Sequence, residues 1–187
     1  QDMTAEGVYT LQSAGVCIDN TTGMVRAVIG GRSQNLPGYT LNRAFQSFRQ
    51  PGSSIKPLIV YTPSLEKGMT ADSIVYDEPI EDGPENADGS YAGAMTLRRA
   101  VELSKNTVAY NLFLNLTPKV GISYLHAMKF SKIVPSDEVP SAALGGLTNG
   151  VSALEMAKGF ATIENDGNYR EPTCIMKITD ASGKVLY

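Results

Sequence analysis

The stretch Arg49-Gln50-Pro51-Gly52-Ser53-Ser54-Ile55-Lys56-Pro57 decides the reading of this chain. Pro51-Gly52 closes a loop, and residues 53–67 are predicted to form a helix that Gly68 stops. Within it Ser53 and Lys56 fall on one face a turn apart, where an amine can remove a hydroxyl proton. Ser64 and Lys67 repeat the spacing, so at least one of the two pairs is fortuitous. Their positions separate them. Ser53 stands at the helix N-terminus, where outward-pointing N–H groups can stabilise an oxyanion on a substrate carbonyl. Ser64 and Lys67 occupy the last turn, where a lysine before a glycine stop is ordinary helix-end electrostatics. Ser53 is the better nucleophile. Its bland alternative, an N-cap serine with Lys56 in solvent, is common enough to stand until other residues join the pair.

On the N-terminal side, GVYTLQSAGVCID and GMVRAVIGG are β-rich runs separated by Asn20-Thr21-Thr22 before Gly23, the pattern of a hairpin. Residues 30–52 carry Gly30-Gly31, Pro37-Gly38 and Pro51-Gly52 and read as a long loop with one helical turn around 43–48. On the C-terminal side, residues 70–95 are rich in Asp, Glu, Gly and Pro. They read as a surface excursion whose acidity means solvation. Thr96 caps a helix through Leu103, and a second amphipathic run follows at 107–116.

Between these helices, Ser104-Lys105-Asn106 exposes a second hydroxyl and an amide in a helix break. The bland reading of Ser104 and Asn106 is capping and turn formation. Ser33-Gln34-Asn35 repeats the Ser-x-Asn pattern in a glycine loop, so the pattern alone is weak. Pro118 opens another helix ending near Phe130, and a loop through Pro135 and Pro140 leads to Gly145-Gly146. Ser152-x-x-Glu155 has the spacing of a capping box, and its helix keeps period up to Asp166-Gly167. TCIMKITDASGKVLY reads as strand, turn, strand.

The 187 residues are enough for one domain, and 42% hydrophobic against 19% charged residues supports a folded core. The net charge is −3 without a basic cluster, so nucleic acid and anionic membrane surfaces are not expected partners. Cys17 and Cys174 sit in apolar strand-like runs, which predicts free, buried thiols rather than a disulfide. With a single histidine, His126, and no Cys/His cluster, zinc and thioredoxin-type chemistry are excluded. No apolar run is long enough to span a bilayer. The Asn20 and Asn115 sequons are short enough to arise by chance and are given no function.

Taken in order, NRAF, RQPGSSIKP, SKNT at 104–107 and ALGGLTNGVSALEMAKGFATIENDG at 143–167 resemble the transpeptidase domain of class A penicillin-binding proteins. The resemblance implies an α/β fold of the β-lactamase and penicillin-binding type, an antiparallel sheet flanked by helices, as a single, C-terminally incomplete domain over 1–187 with the last strands missing from this chain. It makes Ser53 the acyl-accepting nucleophile and Lys56 its base. Ser104 would relay the proton to the departing D-alanine, and Asn106 would hold the substrate peptide amide. It further implies DD-transpeptidation of peptidoglycan stem peptides ending in D-Ala-D-Ala and covalent inhibition by β-lactams, without metal or organic cofactor.

A glycosyltransferase domain and a membrane anchor are expected outside this chain, placing the parent at the extracytoplasmic face of the bacterial membrane. The family's K-T-G motif does not occur here, so its strand is expected beyond Tyr187. A DD-carboxypeptidase or serine β-lactamase would use the same dyad, and a non-catalytic β-lactam-binding module is the reading from another class. Lys56 at its reference pKa of about 10.4 would be neutral only about once in 10^3.4 at pH 7, so burial or nearby positive charge must lower it. Lys105, beside Ser104, is the candidate for such a charge.

Overall fold

The computed structural model describes residues 3–4, 7–32 and 40–186. The Ser33-x-Asn35 copy, the Pro37-Gly38 pair and Tyr187 lie outside them. The chain divides into two compact units, one formed by Gln1–Phe48 with Val151–Tyr187 and the other by Arg49–Gly150.

The first unit opens on the expected hairpin. Strands β1 (Gly15–Ile18) and β2 (Val25–Ile29) pair antiparallel, Gly15 opposite Ile29 and Cys17 opposite Ala27, with a bulge between Cys17 and Ile18. Asp19 makes the turn: its carboxylate accepts from the Thr22 N–H and hydroxyl, and its other oxygen pairs with Arg26 at 2.9 Å. A single helical turn follows, α1 (Arg43–Gln46), capped by the Asn42 side chain.

The second unit holds the helical run at 52–66, which is not one regular helix. It starts as a 3-10 turn over Gly52–Ile55, continues as a π-helical segment over Pro57–Tyr61, and becomes α-helical only in α2 (Thr62–Glu66). Two prolines explain the change. Pro57 has no N–H to reach the Ser53 carbonyl, and Pro63 has none for the Ile59 carbonyl, so the ladder re-forms one residue wider, with Thr62 N–H donating to the Pro57 carbonyl. Ile55, Leu58, Ile59 and Val60 of this run are fully buried.

Residues 70–95 are mostly exposed, as read, but they also hold a strand pair and a buried carboxylate that the sequence reading missed. Ile74–Asp77 and Gly93–Thr96 form an antiparallel pair, β3 and β4, and Asp77 and Asn86 are buried at 0% and 5% exposure. The alternation of Ile74, Val75, Tyr76 and Asp77 is a strand's, with Val75 and Asp77 facing in. Acidic composition hid it, because a buried carboxylate reads like a solvated one until its partners are known.

Thr96 caps α3 (Leu97–Glu102) through its hydroxyl, α4 spans Asn106–Leu116, and α5 spans Pro118–Ala127. Val108 and Phe113 of α4 and Ile122 and Leu125 of α5 complete the unit's core. Two 3-10 turns, Pro135–Asp137 and Pro140–Leu144, lead to Gly145.

The chain then re-enters the first unit in α6 (Ala153–Glu164). Its capping box is formed as expected, with the Ser152 hydroxyl accepting from Glu155 N–H and the Glu155 carboxylate accepting from Ser152 N–H. The C-terminal segment has the expected turn but not extended strands: one bridge joins Thr179 to Val185, and another joins Thr173 to Met24. Cys17 and Cys174 are both free, and both are exposed rather than buried. Cys17 falls on the open side of β1, where strand alternation overrides residue type.

Candidate active site

Ser53 lies in the 3-10 turn that opens the helical run, where residues three apart eclipse, so Ser53 and Lys56 share one edge. Ser53 is exposed, and among the described residues its hydroxyl has no hydrogen-bond partner. Neighbouring Ser54 is also exposed, but its hydroxyl is tied back to the Pro51 carbonyl at 2.6 Å. Ser64, the competing copy, is 2% exposed and donates to the Val60 carbonyl at 2.7 Å.

The turn carrying Ser53 is set against the 145–150 segment, backbone on backbone. A Cβ on Gly145, whose φ is +88°, would lie 2.4 Å from the Gly52 nitrogen, and one on Gly150 would lie 2.4 Å from the Arg49 carbonyl carbon. Only glycine permits that approach. The buried carboxylate of Asp137 holds the other side of the segment, accepting from the Thr148 N–H and hydroxyl, each at 2.7 Å.

Lys56 is 1% exposed and its amine meets the helix break. Nζ donates to the Ser104 carbonyl at 2.7 Å and to Asn106 Oδ1 at 2.7 Å, and lies 3.2 Å from Ser104 Oγ. Burial pushes its pKa down from 10.5 to about 8. Two of the three partners only accept. A neutral amine keeps two N–H groups for the carbonyl and amide oxygens and turns its lone pair to the Ser104 hydroxyl, the one partner able to donate. The arrangement can therefore pass a proton between Lys56 and Ser104.

Ser104 is placed by the end of α3. Lys105 N–H donates to the Ala100 carbonyl and Ser104 N–H to the Val101 carbonyl, the paired bonds of a Schellman end, with Ser104 at φ 52° where glycine is usual. The left-handed turn directs the Ser104 carbonyl toward Lys56. Replacing Ser104 by Gly removes a strained Cβ, so Ser104→Gly is expected to raise stability by up to about 1 kcal/mol over Ser104→Ala, both variants lacking the hydroxyl. Urea unfolding midpoints of the two variants check the order.

Asn106 opens α4. Its Oδ1 accepts from Lys56, its Nδ2 donates to the Glu85 carbonyl at 2.8 Å, and its backbone N–H donates to Asn86 Oδ1 at 2.8 Å. Asn106, expected from the resemblance to hold a substrate amide, thus has both side-chain polar atoms engaged within the protein. The structure brings Lys56, Ser104 and Asn106 together and sets Ser53 a turn before Lys56.

Lys105 does not face Lys56 as a nearby charge. It is 2% exposed and turns to Asp77 Oδ2 at 3.2 Å and Asp88 Oδ2 at 3.1 Å, where its charge is neutralised. Asp77, Asn86 and Asp88 were not singled out in the sequence. The signal that could have found them is the strand alternation ending on Asp77.

Comparison with known proteins fits this fold. The family model for the penicillin binding protein transpeptidase domain matches residues 13–186. The chain is 38% identical over 95% of its length to penicillin-binding protein 4 of Bacillus subtilis, and 40% identical over 99% to penicillin-binding protein 1F of the same organism. It covers 29% and 25% of those two proteins, so it spans about a quarter of the curated relatives it matches. Penicillin-binding protein 1A from Haemophilus influenzae superposes with a TM-score of 0.82 at 33% identity, over 99% of this chain and 29% of that one. PonA1 from Mycobacterium tuberculosis, solved in complex with penicillin V, gives 0.78 at 28% identity, over 94% of this chain and 50% of that one. The chain belongs to the penicillin-binding-protein transpeptidase family, with the α/β fold of helices and small antiparallel sheets that defines it.

Proposed function

We propose that the chain carries the acylation half of a serine DD-transpeptidase that cross-links peptidoglycan, with residues 1–187 belonging to a single transpeptidase domain. The observation that carries this reading is the buried Lys56 amine, held by Ser104 and Asn106 one 3-10 turn after the unengaged Ser53 hydroxyl. Neutral Lys56, its lone pair released from the Ser104 hydroxyl, takes the Ser53 proton as Oγ attacks the carbonyl of the penultimate D-alanine. The tetrahedral adduct collapses, the terminal D-alanine leaves as an amine, and its proton comes from Lys56 through the Ser104 hydroxyl. An acceptor amine from a second stem peptide then attacks the ester, returning its proton by the same route. A β-lactam carbonyl enters in place of the peptide and leaves Ser53 acylated.

Asn106 orients Lys56 and, once its bonds rearrange, the substrate amide. The parent protein on this reading carries a glycosyltransferase domain and works at the extracytoplasmic face of the bacterial membrane. No helix among the described residues is long and apolar enough to cross a membrane. Incubation with a fluorescent penicillin tests the proposal. Stable labelling that maps to Ser53 supports it, release of the label within minutes makes the chain a hydrolase instead, and no labelling overturns it.

A further inference from the structure

Ser104 and Asn106 present their polar atoms to Lys56, and the residue between them points the other way. Lys105 is extended (φ −60°, ψ 124°), so its side chain leaves the opposite side of the segment and runs inward. There Nζ meets Asp77 Oδ2 at 3.2 Å, Asp88 Oδ2 at 3.1 Å, the Ser90 carbonyl at 3.0 Å and Ser90 Oγ at 3.2 Å. Asp77, fully buried, also accepts from Asn86 Nδ2 and the Thr107 hydroxyl, each at 2.6 Å, and from Ala92 N–H at 2.9 Å.

Asn86 closes the loop of contacts. Its Oδ1 accepts from the N–H groups of Asn106 and Thr107, at 2.8 and 3.4 Å, where α4 has no side-chain cap of its own. Residues 104–107 are thereby gripped through one side chain behind, two N–H groups at the helix start and one hydroxyl. Burial opposes charge on Asp77, but its bonds from Thr107, Asn86, Ala92 and Lys105 outweigh it and hold the carboxyl below its usual range. A buried ion pair is seldom the most stabilising filling for such a space, since apolar residues of like volume do as well or better. What directional bonds supply is a fixed position for the segment they hold.

We propose that Lys105, with Asp77 and Asn86, is a positioning residue that holds Ser104 and Asn106 in register with the Lys56 amine and so sets the rate of acylation without touching substrate. The inference rests on the assignment of Ser53 and Lys56 above. It gives the acidic 78–92 segment a role in the chemistry, since that segment supplies Asn86, Asp88 and Ser90 to the grip.

The experiment separates the non-covalent binding constant K from the acylation rate constant k2 by stopped-flow with a fluorescent penicillin, and counts reactive sites by intact mass. Lys105→Met is expected to lower k2 about 100-fold, the cost of a displacement near 1 Å in the proton path, with K and the number of reactive sites unchanged. A purely structural role would lower the number of sites and leave k2 of the labelled fraction intact, and that result overturns the proposal. So does a weaker K at unchanged k2. Thr107→Val, which removes one bond to Asp77 at nearly constant volume, is expected to lower k2 by about tenfold and decides the matter if Lys105→Met does not fold. An unchanged k2 in a folded variant removes the positioning role while wild-type labelling at Ser53 leaves the functional assignment standing. Wild-type protein that labels elsewhere, or not at all, removes both.

Discussion

Ser53→Ala is expected to abolish the covalent adduct with a fluorescent penicillin, and Ser64→Ala to leave it nearly unchanged. Both serines precede a lysine by three residues, and the structure separates them by access and by bonding. The Ser53 hydroxyl is exposed, without a partner among the described residues, and a 3-10 turn sets it on the same edge as a lysine whose amine is buried. The Ser64 hydroxyl is buried and spends its proton on the Val60 carbonyl, and Lys67 after it is in solvent. Ser54 is a stricter control, since it is exposed beside Ser53 but bonded to Pro51. Intact-mass measurement of the three alanine variants after exposure to penicillin checks the order, and an adduct on Ser53→Ala protein would refute the nucleophile assignment.

The parts of this molecule that were legible in sequence are those where one residue's chemistry has a local consequence. The Ser152-x-x-Glu155 box announces α6 because both partners lie within one turn, and Thr96 announces α3 for the same reason. Ser53, Lys56, Ser104 and Asn106 were legible as candidates by spacing and by their place beside a Pro-Gly pair and a helix break. Where the partner is distant, the signal fails. Asp77 and Lys105 are 28 residues apart in sequence but share a buried ion pair; alternation puts Asp77 on the inward side of its strand, while nothing local marks Lys105 as its partner. The π segment was illegible for a related reason: its cause is the pair of N–H groups that Pro57 and Pro63 lack, while its apolar pattern reads as an ordinary helix. Cys17 shows the converse, a residue type that is usually buried lying on the open side of a short strand.

Lys56→Arg is expected to be as damaging as Lys56→Ala, each slowing acylation by about 10²–10⁴-fold, because a guanidinium keeps its proton at every accessible pH. With its pKa at about 8, wild-type Lys56 is neutral in about one molecule in ten at pH 7, against about one in three thousand at the reference value of 10.5. Acylation should therefore rise with pH to a midpoint near 8 and flatten above it. The same shift has a stability consequence whose sign follows from proton counting. Between pH 8 and 10.5 the unfolded chain still holds this proton while the folded chain has released it, so folding gains stability as pH rises through that window. Below pH 8 the folded protein carries a buried ammonium at a cost of about 3 kcal/mol, which Lys56→Ala lacks. Urea unfolding from pH 7 to 10.5 should then show wild type gaining on Lys56→Ala by about that amount, while other titrating groups cancel in the difference. If the two curves run parallel, the folded chain keeps this proton as long as the unfolded chain does, and the Lys56 pKa is not lowered. If Arg restores the rate, Lys56 acts by charge, and the base for Ser53 is another group.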